Sequence, residues 1–403
     1  MKIYSEELKK IKLIDVFEIV LSGEWGEENL EDNENTAYII RTTNFLNNGT
    51  LDIENRELVK RQISSEKINE KCLKRGDIII EKSGGSPNQP VGRVVYFDIE
   101  SEKNFLCNNF TSVLRVKEGI EPKYIFYFLK DCYKKRIILK YQNKTTGIIN
   151  LKLQDYLKNT EIQLPNIEIQ NKIVEILDKA FLINSLLIEK ERRISELNKC
   201  LFIKMFGDPI LNEKKWEKKY YEDISILITD GEHQTPKRSQ TGIYLLSARN
   251  IHNYCLKLED VDYIDEEEYT KISKRIIPKE NDILISCSGS IGRVCLIPKN
   301  LKLQLVRSVA LIRLKENMNP VFMEYLITSE FTQRQIKKEA TKSSQANLFQ
   351  GKIKKLIGIV PPIELQNQFA ERVKMIEKSK FEIQKSIEET QKLFDSLMEK
   401  YFG

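Results

Sequence analysis

Histidine is almost missing from this 403-residue chain, which carries His233 and His252 alone. The seven cysteines (Cys72, Cys107, Cys132, Cys200, Cys255, Cys287, Cys295) are scattered, odd in number and never spaced C-x-x-C. That spacing disfavours a metal site and a disulfide framework, and free thiols in a cytoplasmic protein are expected. No run of eighteen apolar residues occurs, and the opening MKIYSEELKKIKLIDV has no apolar core followed by a small-residue cleavage site. Neither a membrane span nor a secretory leader is expected. Nucleotide chemistry is equally short of motifs. There is no G-x-x-x-x-G-K-[ST] loop, no N-P-P-Y-like tetrad and no Gly-rich strand-turn-helix. Asp77, Glu81 and Lys82 superficially resemble a metal nuclease, but Glu81 and Lys82 are adjacent and point to opposite sides of a strand. Asp77 is expected to close a turn before that strand. No catalytic and no metal-binding residues are assigned. Charge is weak evidence too: 65 Lys and Arg against 59 Asp and Glu leave a net +6, compatible with nucleic acid and with much else.

What is present is a duplication. LKRGDIIIEKSGGSPNQPVGRVVYF (73–97) recurs as IPKENDILISCSGSIGRVCLIP (277–298), and TSVLRVKEGIEPKYIFYFL (111–129) as SVALIRLKENMNPVFMEYL (308–326). LPNIEIQNKIVEIL (164–177) recurs as VPPIELQNQFAERV (360–373), and LFIKMFG, ending at Gly207, as LMEKYFG, ending at Gly403. A weaker correspondence opens each half: Asp15, Gly23, Tyr38 and Asn44 beside Asp223, Gly231, Tyr244 and Asn250. A period near 200 residues is too long for a solenoid and suits two duplicated domains. At 41% hydrophobic, the chain can build both cores.

Each half changes texture partway. Short apolar runs broken by Gly, Asn, Ser and Pro read as strands and turns, with a helix near 122–141. From Ile167 to Phe206 there is then no Gly or Pro, and apolar residues recur at Ile169, Ile173, Ile176, Ala180, Ile183, Leu187, Ile194, Leu197 and Leu201. A repeat of 3.5 residues predicts a helix packed along another helix, about 60 Å long at 1.5 Å per residue. The second copy keeps the seam at Leu365, Phe369, Ile376, Ile383, Leu397 and Tyr401. The expected fold is therefore α+β. Two duplicated domains of mixed, curved β-sheet with short helices (1–160 and 208–355) are separated by two long helices (161–207 and 356–403) pairing as an antiparallel coiled coil.

A strand of G-D-I-I type followed by S-G-x-x-x-G-R, then P-P-I-E-L-Q-N opening a long helix, all occurring twice, resembles the specificity subunits of type I restriction–modification enzymes. The resemblance covers essentially the whole chain. Family helix openings often read P-P-x-x-E-Q, whereas here they run Pro165-Asn166-Ile167-Glu168-Ile169-Gln170 and Pro361-Pro362-Ile363-Glu364-Leu365-Gln366, a departure read as drift at a helix start. The resemblance implies two target-recognition domains, each specifying one half of a split site in double-stranded DNA. It implies helices that set the separation and bind two modification (methyltransferase) subunits, with restriction (translocase–nuclease) subunits joining them. S-adenosylmethionine, ATP and magnesium would belong to those partners and none to this chain. The alternative is a non-catalytic two-headed scaffold whose helical rods bind partner proteins.

Candidate DNA contacts lie on polar loops between predicted strands. One set is Ser83, Asn88, Gln89 and Arg93 in the first half and Ser288, Ser290 and Arg293 in the second. Glycines let backbone approach a phosphate, and Arg, Asn and Gln reach base edges bidentately; the alternative is a plain hairpin with an exposed Arg. A second set follows the strands at Tyr38 and Tyr244: Arg41, Thr43 and Asn44, and Arg249 and Asn250. Residues 143–146 and 343–347 are read either as DNA contacts or as linkers. Tyr124, Phe126, Tyr127 and Phe128 read as helix core rather than base-stacking platforms.

Overall fold

The structure, a computed structural model, describes residues 9–28, 32–86, 89–145, 148–340 and 347–403. Residues 1–186 with 387–403 form one compact unit and 187–386 the other. Each unit thus holds one head together with part of each long helix.

Both heads are built on the same sheet. In the first, Phe17–Ser22, Thr111–Val116, Ile78–Glu81 and Val94–Tyr96 lie side by side, all antiparallel. In the second, Ser225–Asp230, Val309–Leu314, Ile283–Ser286 and Val294–Leu296 repeat that order. Successive side chains on a strand face opposite ways, and here both faces are covered. Ile78, Ile80 and Leu114 pack with Tyr124, Ile125, Phe128 and Leu129 of the helix Pro122–Lys134. Ile79, Val95 and Val113 face Ile40, Phe105 and Cys107 of a second, mixed sheet. That sheet pairs Thr36–Ile40 antiparallel with Val59–Gln62 and parallel with Asn104–Cys107. The second head matches it: Ile283, Ile285 and Ile312 pack on Phe322, Met323 and Leu326 of Pro320–Thr328, while Leu284, Cys295 and Leu311 meet Leu246, Leu303 and Leu305. Ile243–Leu246 is likewise antiparallel to Asp262–Ile264 and parallel to Leu303–Leu305. The helix facing each sheet starts on Pro, with the side chain before it capping: Glu121 accepts from Lys123 N (3.1 Å) and Asn319 from Val321 N (2.9 Å).

Each head is stitched to its own long helix by a two-stranded ribbon. The opening strand Lys9–Lys12 pairs with Glu161–Leu164, which runs into the helix Ile167–Phe206. Glu217–Tyr220 pairs with Ile357–Val360, which runs into Ile363–Phe402. Both helices are 40 residues long, and the first spans the residues its lack of Gly and Pro predicts. The two helices pack antiparallel. In the second unit Glu191, Asn198 and Phe202 meet Lys380, Glu377 and Phe369, one series rising as the other falls. In the first unit Asn184 Nδ2 donates to Gln391 Oε1 (3.0 Å), and Leu177 and Ala180 share a core with Phe394 and Met398.

The seam itself differs from the predicted one. Ile173 and Ala180 are buried, Leu187, Ile194 and Leu201 are partly buried, and Ile169 packs against the first core. Ile176, Ile183 and Leu197, however, are 38%, 52% and 49% exposed. The second row runs one residue later, with Leu177 and Asn198 buried and Asn184 and Glu191 partly so, and three of those four are polar. Apolar periodicity followed the flank because the seam is closed there by hydrogen bonds and an ion pair. On the second helix Phe369 and Ile383 are buried and Leu365, Ile376 and Leu397 partly so; Val373, Phe394 and Met398, absent from the predicted seam, are buried as well.

Candidate nucleic-acid interface

One end of each central sheet gathers the loops that carry the predicted contacts. Its opposite end is locked by a matched ion pair. Asp77 caps its turn by accepting from Lys74 N (2.8 Å) and takes both Nε and Nη2 of Arg115 (2.8 and 2.7 Å). Asp282 does the same with Lys279 N and Arg313 (2.7, 2.8 and 2.6 Å). The bidentate pairing holds both guanidiniums further in favour of the charged form than usual. The predicted turn-closing role of Asp77 is what the structure shows.

Asn44 and Asn250, named as candidate DNA contacts, are 0% and 1% exposed. Asn44 Oδ1 accepts from Arg41 N (3.0 Å) while Nδ2 donates to the carbonyls of Asp52 and Arg56 (both 3.1 Å). Asn250 Oδ1 accepts from Ser247 N (3.0 Å) while Nδ2 donates to the carbonyls of Lys257 and Asp260 (3.0 and 2.8 Å). An amide so satisfied has nothing left for a base edge. These residues pin the loop that follows the strand, which explains their recurrence in both halves.

The loops after Ile78–Glu81 and Ile283–Ser286 diverge at the matched arginines. Arg93 is clamped: Nε and Nη2 donate to the two carboxylate oxygens of Glu81 (2.9 and 3.1 Å), and Nη2 also reaches the Thr42 carbonyl (3.3 Å). The Glu81 side chain is only 5% exposed, and the guanidinium lies 5.7 Å from the Phe45 ring centre. With its amide oxygen turned inward, Gln89 also accepts from Arg93 (2.9 Å to Nη1). Arg93 is therefore an interior strut rather than a free loop cation. At the matching place Ser286 replaces Glu81; its hydroxyl donates to Ser290 O (2.5 Å) and accepts from Arg293 N (3.0 Å). The Arg293 side chain is half-buried and has no carboxylate partner among the described residues.

The glycines before these arginines do not open the backbone to phosphate. Gly92 (φ +110°) is buried, and a Cβ there would lie 2.1 Å from Ile138 Cδ1; Gly292 (φ +85°) is buried against Gln333 and Ile336. The open crests are Gly84 and Gly289, where a Cβ would meet nothing within 4 Å. Around them, Gln89, Ser290, Thr43 and Arg249 are exposed and Ser288 is half-buried. Ser83 is tied to Asn150 (2.6 Å), Arg41 donates to the Glu57 carbonyl (3.1 Å), and Arg249 pairs with Asp262 (3.1 Å). Asn88, Thr146 and residues 343–346 lie outside the described residues. Tyr124, Phe126, Tyr127 and Phe128 are core.

One matched pair escaped the sequence reading. Gln170 and Gln366, the glutamines of the two helix openings, are buried. Gln170 accepts from Glu121 N (2.9 Å) and donates to Pro165 O (2.7 Å); Gln366 accepts from Asn319 N (2.9 Å) and donates to Pro361 O (2.8 Å). Each glutamine fastens the first turn of a long helix to the N-terminus of its head's helix. The signal was visible: the residue recurs unchanged in both copies, where drift would have altered a surface position.

Two matched β heads, each presenting polar loops at one sheet end and each clamped to one of two paired helices, define a duplicated two-headed recognition protein. The chain belongs to the type I restriction modification DNA specificity domain family, whose model it matches twice, over residues 5–199 and 212–392. A putative type I restriction enzyme MjaX specificity subunit of Methanocaldococcus jannaschii is 25% identical over 393 residues, covering 92% of this chain and 86% of that one. The type I restriction enzyme MjaVIII specificity subunit of the same organism is 23% identical over 304 residues, 68% of each chain. The crystal structure of the S subunit of a type I restriction–modification system from M. genitalium has a TM-score of 0.60 at 15% identity, covering 100% of this chain and 98% of that one. A chain from a structural study of type I complex assembly and conformational transition gives 0.54 at 14% identity, over 98% and 99%. These two structures share the fold. The chain is a DNA specificity subunit of a type I system, a non-catalytic role.

Proposed function

We propose that each head reads one half of a two-part DNA site, and that the paired helices set the half-site separation and dock two modification subunits. Restriction subunits join that assembly, and S-adenosylmethionine, ATP and magnesium act in the partners. The observation that carries this reading is the matched attachment of each head to its own helix, by a strand ribbon and a buried glutamine. Heads fixed alike but looped differently can read different sequences at one set distance, so the site need not be palindromic. Exposed apolar side chains on the first long helix support docking: Ile176 and Ile183 in the first unit and Leu197 in the second are left uncovered by the chain itself. Family membership disfavours the scaffold alternative.

The test is an exchange of residues 208–345 for the matching segment of a relative, followed by mapping of methylated adenines in DNA from cells expressing the complex. One half of the target should change and the other persist. Joint alteration of both halves would show that the heads do not read independently.

A further inference from the structure

We propose that the second head grips the DNA phosphate backbone through Arg293 and Arg307, a contact the first head cannot make from its matching positions. This rests on the reading above that the heads face DNA, and adds which side chains supply the charge and why the two heads differ.

The two loops differ in length, but they leave and rejoin the sheet through matching hydrogen bonds. Glu81 N donates to Arg93 O and Ser286 N to Arg293 O, both at 2.9 Å, from the same strand end: Glu81 lies opposite Thr111 and Ser286 opposite Val309. The frame is therefore the same, and the difference is one of charge. In the first head Glu81 spends both oxygens on the guanidinium, so the pair is neutral and largely buried. In the second, Ser286 brings no charge, and its hydroxyl is spent on the loop backbone. Arg293 thus keeps a full positive charge that no carboxylate of the described residues offsets.

A second cation lies across the same strand end. Arg307 is exposed, in the turn between Leu303–Leu305 and Val309–Leu314. That turn is fixed by Arg307 N donating to Glu232 O (2.9 Å) and Val309 N to Val306 O (3.0 Å). Cys287 N donates to Ser308 O (2.8 Å), so the turn lies on one side of the strand end and the Arg293 loop on the other. Between them the crest 288–290 is open at Gly289. The first head's matching turn carries Asn109 and Phe110 instead, the phenyl ring 46% exposed. Its remaining cation here, Lys82, donates to Ser22 Oγ (2.6 Å). Two uncompensated guanidiniums flanking an open, small-residue crest suit a polyanion, because the planar fork meets phosphate oxygens bidentately.

Counterion release makes this measurable, since each phosphate neutralised adds about 0.9 to the slope of log affinity against log salt. The chain, assembled with its modification subunits, is titrated across a salt series on two duplexes: one carrying the methylation-mapped target, the other a scrambled sequence. Arg293→Gln and Arg307→Gln should each flatten the slope by about one unit on both duplexes, while Arg293→Lys keeps it. Ser286→Glu, which restores the first head's carboxylate, should act as Arg293→Gln does and add nothing to it. Arg93→Gln should leave the slope unchanged. Wild-type slopes for both Arg293→Gln and Arg307→Gln, in complexes with unaltered melting, would overturn the proposal. The scrambled duplex reads the arginines whether or not the target is preferred. Loss of target preference in the wild-type complex would instead count against the two-head reading, so the two failures are told apart.

Discussion

Arg93→Ala removes the guanidinium that holds both oxygens of Glu81, at 2.9 and 3.1 Å, in a site where that carboxylate is 5% exposed. Breaking a buried pair from one side strands the other charge, at a cost of about 3–5 kcal/mol. Arg293→Ala strands nothing of the kind, because Ser286 faces it, and should stay within about 1 kcal/mol of wild type. The double change Glu81→Ser with Arg93→Ala mimics the second head's uncharged strand end and should recover most of the loss. The two units need not unfold together, so a single melting curve is a poor readout. Native-state amide exchange is better: the Glu81 amide donates to Arg93 O, so its opening free energy reports the loop directly. The reasoning fails if Arg93→Ala and Arg293→Ala lower local stability equally, or if the double variant is no more stable than Arg93→Ala.

Three further outcomes are expected. Gln366→Leu leaves Asn319 N–H and Pro361 C=O without their partner and should destabilise the second unit by about 2–6 kcal/mol, two orphaned groups at about 1–3 each; a shift below about 1 kcal/mol in urea unfolding would contradict the clamp. Burial, with Glu377 adding to it, pushes the Glu324 carboxyl from 4.5 up to about 8, although a hydrogen bond from the Leu296 backbone opposes it. A raised acid is uncharged in the fold and ionised when unfolded, so stability falls as pH climbs from 4.5 to about 8 and then levels; Glu324→Gln should abolish that decline, gaining on the order of 4 kcal/mol near pH 7.5, and an unchanged pH profile would contradict it. Ile183→Asp and Leu197→Asp lie on the exposed flank, so each should leave the free chain's melting within about 1 kcal/mol yet weaken pull-down of the modification subunit; lost chain stability with intact pull-down would place these residues in the seam after all.

Repeats, strands and helix lengths were legible because they are patterns of type: short apolar runs broken by turn residues, absence of Gly and Pro in helices, and order preserved across two copies. The polar seam was not, because Asn184, Glu191 and Asn198 pack by pairing with Gln391, Lys380 and Glu377, partners 179 to 207 residues away. The site residues misled for a related reason. Asn44 and Arg93 carry side chains that suit base edges, but whether such a group faces solvent or the interior depends on where Asp52, Arg56 and Glu81 fold to meet it. Recurrence in both halves was the better guide, since two heads with different loops share what holds them up. Asp77 and Asp282, Asn44 and Asn250, and Gln170 and Gln366 all recur, and all are buried supports.

The glutamine clamp has a consequence for how such a chain changes its reading. On the head's side Gln170 accepts from the main-chain N–H of Glu121, and Gln366 accepts from that of Asn319 while its amide nitrogen also meets the Asn317 carbonyl (3.4 Å) and the Met318 sulfur (3.8 Å). The coupling therefore runs mainly through main chain, and its first need is a helix start in the right place. A head with different loops fits the same socket if its helix keeps this start and the face it packs on the long helix, where Lys123 and Tyr127 meet Asp178. Recombination that exchanges whole heads would then yield a folded chain with a new half-target in one event, whereas point changes in the loops must move through intermediates that read neither the old sequence nor the new.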